Sequence, residues 1–413
     1  MLDIKFIREN LDLIKKNCLD RHVKVDVEEL VSIDNERRDF IFQIEELRSD
    51  RNKRSKAKPS PEEIRELKAV GDKISQFEER LAEIDSKYHE LLLLTPNLSH
   101  PDSPIGGEEA FELIHTSGKP TKFNFEPKDH EELMINLDLI DFERGAKVAG
   151  SKFYFVKNDA VRLNQALINY GIDVVSKYGY SLVETPDLAK DSILTGIGFN
   201  PRGSESQIYS LENSDLSLIG TAEITMGGYH ADEVLDLSDG PKKYVALSHC
   251  FRTEAGSYGK TSKGLYRVHQ FTKLEMFIFC KPEDSEKYHA EILEIEKKIV
   301  GALDIPYRVV DISTGDLGGP AYRKYDIEAW LPMNNDYGEI TSCSNCTDYQ
   351  ARRLNIKYKK EDGSTDLVHT LNGTAVVLSR FPLAIVENYQ QKDGSIKVPK
   401  VLQKYVGKKV IKS

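Results

Sequence analysis

The chain is poor in cysteine, lacks a long hydrophobic run near its start and has no excess of basic charge. Its five cysteines are scattered at positions 18, 250, 280, 343 and 346, which favours a reducing cytosol over a disulfide-stabilised fold. The opening MLDIKFIREN is charged and alternating, so we expect no signal peptide. The longest apolar block of the first hundred residues, 91–94, is too short to span a membrane. We therefore expect a cytoplasmic protein without a membrane partner.

The charge balance gives no general reason to expect a nucleic-acid binder. The net charge is −10, so a contact with RNA would require a local concentration of basic residues. A composition of 39% hydrophobic and 30% charged residues is ordinary for a globular protein. The length of 413 residues is enough for two or three domains.

Two stretches of the first hundred residues have the apolar spacing of a coiled-coil seam. The downstream stretch alternates spacings of three and four at Leu67, Val70, Ile74, Phe77, Leu81, Ile84, Tyr88 and Leu91. The upstream stretch keeps this spacing at Leu30, Ile33, Phe40, Ile44 and Leu47, with Arg37 as the only break. Between them, Ser60-Pro61-Glu62-Glu63 is typical of a capped helix start. The pattern predicts an antiparallel helical hairpin over residues ~27–56 and ~61–94, roughly 45–50 Å long.

The tip of this predicted hairpin is strongly basic. Asp50 is the only acid among its cations, which are Arg48, Arg51, Lys53, Arg54, Lys56 and Lys58. Such a cluster suits a phosphate backbone. A dimerisation coiled coil and a solvated helix face are the alternatives that the pattern alone leaves open.

A proline- and glycine-rich segment, residues 95–107, is the clearest domain boundary. We expect an N-terminal helical arm over residues 1–100 and a second domain over residues 101–413. In the second domain, apolar spacing predicts a helix over 161–178, followed by a strand over 181–184 that ends just before Pro186.

Residues 244–251 and 266–280 read as two strands joined by a loop with three glycines and two lysines. Arg252, Glu254, Phe271 and Glu275 converge where these strands meet the loop. An arginine for a phosphate, an aromatic ring for a base and carboxylates for amines or a metal could together hold a nucleotide. A salt-bridged hairpin at the solvent edge is the alternative.

Three segments of the second domain resemble the signature motifs of class II aminoacyl-tRNA synthetases. F-R-T-E at 251–254 followed by H-Q-F-T-K-L-E at 269–275 resembles the second motif, and H-T-L-N-G-T-A-V-V-L-S-R at 369–380 resembles the third. The predicted helix, strand and proline near 161–186 resemble the first. With the N-terminal arm and IDFERGAKVAGSKFYF at 140–155, the chain is most similar to the common, bacterial-type seryl-tRNA synthetase family.

This resemblance implies an α+β fold: an antiparallel coiled-coil hairpin followed by a class II catalytic domain, an antiparallel sheet flanked by helices, in a homodimer. It implies a serine–tRNA ligase that activates L-serine with ATP, releases diphosphate and transfers serine to the 3′ end of tRNA(Ser). Whether tRNA(Sec) is also charged stays open. The alternatives are a catalytically impaired paralogue that binds RNA or protein, and a carrier-protein ligase, against which the arm counts.

The resemblance also assigns roles to single residues. Arg252, Glu275 and Arg380 would be catalytic. The serine pocket would comprise Thr221, Ala222, Glu223, Glu275, Asn372 and Thr374. ATP would contact Arg252, Thr253, Glu254, Phe271, Glu339, Ile340, Thr341, Ser342 and Arg380. Glu339 and Ser342 would hold Mg²⁺, for which their oxygen atoms are suited, and the six basic residues of the hairpin tip would bind tRNA.

Two features near the third motif need comment. The family pattern N-G-S-G-L-A-V-G-R becomes N-G-T-A-V-V-L-S-R here, so we expect Ala375 and Ser379 to add side-chain atoms beside ATP, where glycine is usual. Upstream, Cys343-x-x-Cys346 could suggest zinc or redox chemistry, but a single such pair is a weak signal. It is similar to an ordinary family variant, so we expect structural cysteines and no zinc.

Overall fold

A computed structural model describes residues 1–56, 60–199, 207–255 and 263–412. The chain divides into two compact units, Met1–Leu98 and Ser99–Ser413. Within the described ranges, no helix is both long enough and apolar enough to cross a membrane. Lys58, one of the predicted tRNA-binding residues, lies outside the described residues.

The first unit consists of four helices: α1 Ile4–Glu9, α2 Leu11–Asp20, α3 Val27–Ser55 and α4 Pro61–Leu94. The predicted hairpin is confirmed, because α3 and α4 run antiparallel. The capping box at the start of α4 is also confirmed: the Glu63 backbone N–H donates to Ser60 Oγ (3.3 Å), and the Ser60 N–H donates to Glu63 Oε2 (2.6 Å). Both signals are local in sequence, which explains why the pattern located this helix so closely.

The apolar seam between α3 and α4 is only partly buried, as expected where two helices cover one stripe of each other. Ile74, Ile84 and Tyr88 are buried, whereas the other seam residues of α4 are half-buried. At the one break in the pattern, Arg37 donates from Nε to Asp85 Oδ1 (2.5 Å), and its guanidinium lies 4.9 Å from the centre of the Tyr88 ring. The arginine is therefore accommodated at the seam by a charge and a ring on α4.

The second unit contains the remaining helices and the strands of the described chain. The helices, α5 to α13, are His130–Asn136, Phe142–Ala149, Asn158–Val175, Asp191–Ile197, Ala222–Gly228, Ser285–Ala302, Tyr349–Leu354, Arg380–Tyr389 and Gln403–Val406. The strands, β1 to β17, are Glu112–Ser117, Ile140–Asp141, Phe155–Val156, Ser181–Glu184, Leu188–Lys190, Leu216–Leu218, Val234–Leu235, Lys242–Phe251, Gln270–Cys280, Tyr307–Asp311, Arg323–Leu331, Asp336–Asn345, Lys357–Lys359, Thr365–Leu367, His369–Val377, Ile396–Lys397 and Val410–Ile411.

Eight of these strands form the central sheet, in the order β1-β10-β11-β12-β15-β9-β8-β4. All neighbours in it are antiparallel except β4 and β8, which are parallel. The expected α+β class with an antiparallel sheet is confirmed, with this one parallel pair at its edge. Three smaller two-stranded sheets and one three-stranded sheet complete the described strands.

Strand β9 lies in the interior of the sheet and is covered on both faces. Met276 and Ile278 point into one hydrophobic core, which includes residues of α7, α10 and α12, whereas Phe277 and Phe279 point into a second core with α8, α9 and α11. This explains why the strand reads as a nearly continuous apolar run rather than an alternating one.

Two predicted boundaries were wrong by a few residues. The second strand begins at Gln270 rather than at 266, because residues 263–269 form turns before the ladder starts. The helix predicted over 161–178 is α7, which begins at Asn158 and ends at Val175 before a short 3₁₀ turn. The strand predicted over 181–184 is confirmed as β4.

Candidate active site

The ends of β8 and β15, the middle of β12, the start of β9 and the first residue of α12 surround one cleft. Nine of the residues predicted to form the site line it: Arg252, Glu254, Phe271, Glu339, Ile340, Thr341, Ser342, Thr374 and Arg380. These positions are far apart in sequence, so the antiparallel pairing of β8 with β9 and of β9 with β15 is what brings them together.

A half-buried arginine and a carboxylate meet at one wall of the cleft. Arg380 Nη1 lies 2.9 Å from Glu339 Oε1 and donates to the Glu339 carbonyl oxygen at 3.1 Å. The Arg380 guanidinium also lies 4.9 Å from the centre of the Tyr266 ring. Burial raises the pKa of Glu339, but the positive charges of Arg380 and Lys324 outweigh it and hold that pKa below its usual value. Glu339 is therefore ionised at neutral pH.

Arg252 also lines the cleft, where a backbone carbonyl and an aromatic ring contact its guanidinium. Its Nε donates to the Gly220 carbonyl at 3.1 Å, and its guanidinium lies 5.2 Å from the centre of the Phe271 ring. The next predicted residue, Thr253, donates its backbone N–H to the Gln207 carbonyl at 3.0 Å. This contact holds the chain just after the end of β8.

Glu254 has a φ of 53°, in the left-handed region that non-glycine residues rarely adopt. Its Oε2 accepts a hydrogen bond from Arg267 Nη1 at 3.1 Å. Backbone strain of this kind is often found at functional sites, where surrounding contacts maintain it. The Glu254 carboxylate is thus held at the cleft by a backbone conformation that non-glycine residues rarely adopt.

Two β-bulges set which side chains face the cleft. The pairing of β11 with β12 shifts between Ile327 and Glu328, so β12 holds one extra residue, Ile340. Residues three apart on a regular strand point to opposite faces, and the extra residue instead puts Glu339 and Ser342 on one face. Ile340 and Thr341 are buried, and the Thr341 hydroxyl donates to Glu296 Oε2 at 3.2 Å.

The second bulge corrects an expectation. The pairing of β15 with β9 shifts between Thr374 and Val376, so Ala375 is the extra residue, and its side chain is fully buried in the hydrophobic core. Ala375 therefore adds no atom beside the cleft, contrary to our expectation. Ser379 does line the cleft, as expected.

A second group of predicted residues forms a hydrogen-bonded cluster beside the cleft. Glu275 is 2% exposed, and its Oε2 accepts hydrogen bonds from the Thr221 hydroxyl and from the Glu223 backbone N–H (3.3 Å). The same oxygen lies 2.8 Å from Lys273 Nζ. Ala222 is fully buried in the second core, so only its backbone is available to a ligand.

Glu223 faces this cluster with a carboxylate that two amides hold. Its Oε1 accepts from Gln350 Nε2 at 2.7 Å and from Asn372 Nδ2 at 3.0 Å. Burial and the nearby charge of Glu275 raise the pKa of Glu223 to about 7, and the hydrogen bond from Gln350 opposes that rise. A ligand with an ammonium group would be matched by this pair of carboxylates.

Sequence reasoning missed three residues that shape the site. Gln350 orients Glu223, Arg267 holds Glu254, and Tyr266 lies under Arg380. No local pattern identifies them, because each acts on a partner brought close by the fold. Lys273 stood within the second motif, but the motif itself gave it no role.

The cysteines at the site, Cys343 and Cys346, are buried and form no disulfide. No three His, Cys, Asp or Glu side chains of the described residues cluster as a metal site. Across the β11–β12 pair from Ser342, Asp326 is 5% exposed, and its Oδ1 has no hydrogen-bond partner among the described residues.

At the tip of the first unit, two predicted RNA contacts are already paired. Arg48 Nη2 lies 2.5 Å from Glu78 Oε1, and Arg54 is paired with Glu66 and with Asp50. Arg51, Lys53 and Lys56 make no ion pair with another residue that the structure describes. The unpaired positive charge is therefore smaller than the sequence suggested.

Comparison with known proteins agrees with these features. Residues 1–99 match the seryl-tRNA synthetase N-terminal domain, and residues 208–389 match the tRNA synthetase class II core domain (G, H, P, S and T). A serine–tRNA ligase from Treponema denticola is 53% identical, with 98% of this chain and 99% of that protein aligned.

Two solved structures have the same architecture. Seryl-tRNA synthetase from Pyrococcus horikoshii, complexed with ATP, is 39% identical with a TM-score of 0.90. The cytoplasmic serine–tRNA ligase from Naegleria fowleri, in complex with AMP, is 33% identical with a TM-score of 0.85. Each comparison covers 100% of this chain and 99% of the other. The chain therefore belongs to the seryl-tRNA synthetase family, the serine–tRNA ligases of class II.

Proposed function

We propose that the cleft binds ATP and that the adjoining carboxylate cluster binds L-serine, so that the serine carboxylate can attack the α-phosphorus. A new bond forms between a serine carboxylate oxygen and the α-phosphorus. The bond from the α-phosphorus to the oxygen that bridges to the β-phosphate breaks, and diphosphate leaves. No general base is needed for this step, because the serine carboxylate is already ionised at neutral pH. The chain's contribution is alignment and charge neutralisation.

In the serine pocket, Glu223 would form an ion pair with the α-ammonium group, and Glu275 would accept a hydrogen bond from the serine hydroxyl. Thr221, Asn372 and Thr374 would border the ligand, and Ala222 would contribute only backbone. A site built to bond a hydroxyl leaves its own groups unpaired when alanine binds, so discrimination against alanine should be strong. Threonine would be excluded by size.

In the ATP site, Arg252 would hold the α-phosphate and Arg380 the γ-phosphate, while Phe271 and Arg380 would enclose the adenine. Glu254 would accept a hydrogen bond from the adenine amino group. The ion pair of Arg380 with Glu339 and the packing of Arg252 on Phe271 support this assignment, since protein contacts fix both guanidinium groups. Thr253, Ile340 and Thr341 would contact ATP through their backbone.

Glu339 and Ser342 fit a Mg²⁺ ion, because the bulge puts a carboxylate and a hydroxyl on one face of β12. When bound there, Mg²⁺ would neutralise charge on the departing phosphates. The free oxygen of Asp326, opposite Ser342, supports a cation in this region. We propose no zinc.

In the second half-reaction, the 3′-terminal hydroxyl of tRNA(Ser) would attack the carbonyl of seryl-adenylate, and AMP would leave. We propose that the first unit is the tRNA-binding arm, with Arg51, Lys53 and Lys56 as its free cations and Arg48, Arg54 and Lys58 beside them. We also propose a homodimer in the cytoplasm; five cysteines that form no disulfide are compatible with that reducing compartment. Use of tRNA(Sec) is left to experiment.

The observation that carries the proposal is the pair of adjoining sites: two fixed arginines at the cleft and two carboxylates, Glu223 and Glu275, beside it. The experiment is amino-acid-dependent ATP–diphosphate exchange without tRNA, with serine, threonine, alanine and glycine each tested alone. Exchange with serine only is expected. No exchange with any of the four, from a folded protein, would contradict the proposal and favour the non-charging paralogue.

A further inference from the structure

A buried histidine and glutamate lie behind the cleft without contacting it. His130, at the start of α5, is 5% exposed, and Glu387, in α12, is 3% exposed. His130 Nδ1 and Glu387 Oε1 are 2.8 Å apart. Neither residue belongs to the serine or ATP site described above, so the pair requires another explanation.

The hydrogen bonds determine which ring nitrogen carries the proton. The Leu265 backbone N–H donates to His130 Nε2 at 3.1 Å, so Nε2 must be the acceptor. The proton is then on Nδ1, which donates to Glu387. His130 therefore receives one hydrogen bond from the segment before β9 and gives another to α12.

Glu387 connects this histidine to further parts of the second unit. Its Oε2 accepts from the Met333 backbone N–H at 3.3 Å, and its Oε1 also faces the His130 backbone N–H at 3.4 Å. Because α12 begins with Arg380, the same helix carries the arginine of the cleft and the carboxylate of this pair.

The approach of the backbone to His130 is very close. A Cβ atom on Gly264 would lie 2.1 Å from His130 Nε2, and Gly264 has a φ of 58°. Only glycine fits there, so the turn packs directly on the imidazole edge. The close contact at Gly264 therefore also fixes where the backbone of the next residues, Leu265 and Tyr266, lies.

We propose that His130 is a positioning residue for ATP binding, with its ring oriented by Glu387: it fixes the backbone at Leu265, which places Tyr266 beneath the guanidinium of Arg380. The inference rests on the proposed function only in taking Arg380 as a ligand of ATP. Arg380 then has a ring on one side and Glu339 on another, which pre-organises it for the nucleotide.

Two substitutions of His130 separate its two hydrogen bonds. Asn reaches the position of Nδ1 and can still donate to Glu387, but it offers Leu265 no acceptor. Gln reaches the position of Nε2 and can accept from Leu265. The measurements are ATP affinity by calorimetry and hydrogen exchange of the Leu265 amide, neither of which requires turnover.

We expect His130→Asn to weaken ATP binding about tenfold, the effect of losing one buried hydrogen bond, and to speed exchange at Leu265. For His130→Gln, ATP affinity and the exchange rate of the Leu265 amide should each stay within about threefold of the wild type. Serine affinity should be unchanged in His130→Asn and in His130→Gln. Equal ATP affinity in all three proteins, or unchanged exchange at Leu265 in His130→Asn, would overturn the proposal. Lack of serine-dependent ATP–diphosphate exchange in the wild type would contradict the proposed function alone.

Discussion

Glu223 is the residue whose chemistry depends most on its neighbours. A carboxylate has to be ionised to bind an ammonium group, yet burial and Glu275 raise the pKa of Glu223 to about 7. Gln350 and Asn372 donate to its Oε1 and so favour the charged form. The charge of Glu223 therefore depends on a balance: burial and Glu275 favour the neutral acid, and the hydrogen bonds from β15 and α11 favour the carboxylate.

This predicts that serine use is pH-dependent near neutrality. Below a pH of about 7, Glu223 is protonated and loses its attraction for the ammonium group, so kcat/KM for serine should fall about tenfold for each pH unit. The pH profile of ATP–diphosphate exchange at limiting serine is the measurement. A flat profile from pH 6 to 8 would show that Glu223 titrates elsewhere or does not bind the ammonium group.

Replacing Gln350 should move that profile. Gln350→Leu removes a hydrogen bond that favours the ionised carboxylate, so the acid limb should shift to higher pH and KM for serine should rise about 10–100-fold. KM for ATP should stay within about twofold. Gln350 also accepts from the Thr370 hydroxyl, so Thr370→Val, which removes that hydroxyl and leaves the bond from Gln350 to Glu223, serves as the control. An unshifted pH profile in Gln350→Leu would contradict the claim that Gln350 favours the ionised form of Glu223.

At the scale of elements, what could be predicted depended on how local the signal was. The bounds of α4 follow from the Ser60 cap and an uninterrupted seam, both readable in sequence. The start of β9 was misplaced because residues 263–269 form turns, and Leu265 among them is hydrogen-bonded to His130 of α5, a partner more than a hundred residues away in the chain. The bulges at Ile340 and Ala375 left no local trace either, since each exists only relative to a paired strand.

The bulge at Ile340 can be tested by removing it. Insertion of one alanine between Ile327 and Glu328 would give Ile340 a partner on β11 and restore regular alternation, so Glu339 and Ser342 would point to opposite faces. Detectable ATP binding should then be lost, because Glu339 turns away from the face of Ser342 and burying an unpaired carboxylate costs several kcal/mol. Ile340→Val keeps the bulge and should cost about 1 kcal/mol in the free energy of unfolding while ATP affinity is unchanged. Calorimetry and thermal unfolding measure both. An insertion variant that still binds ATP as tightly as the wild type would contradict the role of the bulge.

At the scale of the whole molecule, the resemblance in sequence anticipated the fold and most of the cleft, whereas the ion pairs had to be observed. The hairpin tip reads as uniformly basic, but Arg48 and Arg54 are neutralised by acids of α4 that no linear count of the tip includes. The expected consequence of Ala375 was wrong for a similar reason: the bulge turns that side chain into the core.

The arm should affect tRNA charging without affecting serine activation. A variant with Arg51, Lys53 and Lys56 all changed to Ala should raise KM for tRNA(Ser) at least about tenfold and lessen its dependence on salt, because free cations release counterions on binding phosphate. Its tRNA-free ATP–diphosphate exchange should match the wild type. The matched control is Arg48→Ala with Arg54→Ala, which removes paired charges and should have the smaller effect. Equal losses in both variants would contradict the distinction.

The measurement that tests the central claim most directly is a calorimetric titration with a non-hydrolysable seryl-adenylate analogue. If two adjoining sites hold serine and ATP, one molecule that fills both should bind at least about a hundredfold more tightly than AMP or serine alone. The matching alanyl analogue should bind much more weakly than the seryl one, because it lacks the hydroxyl that would donate to Glu275. Equal affinity for the seryl analogue and AMP would show that the carboxylate cluster is not a serine site, and the account would fail.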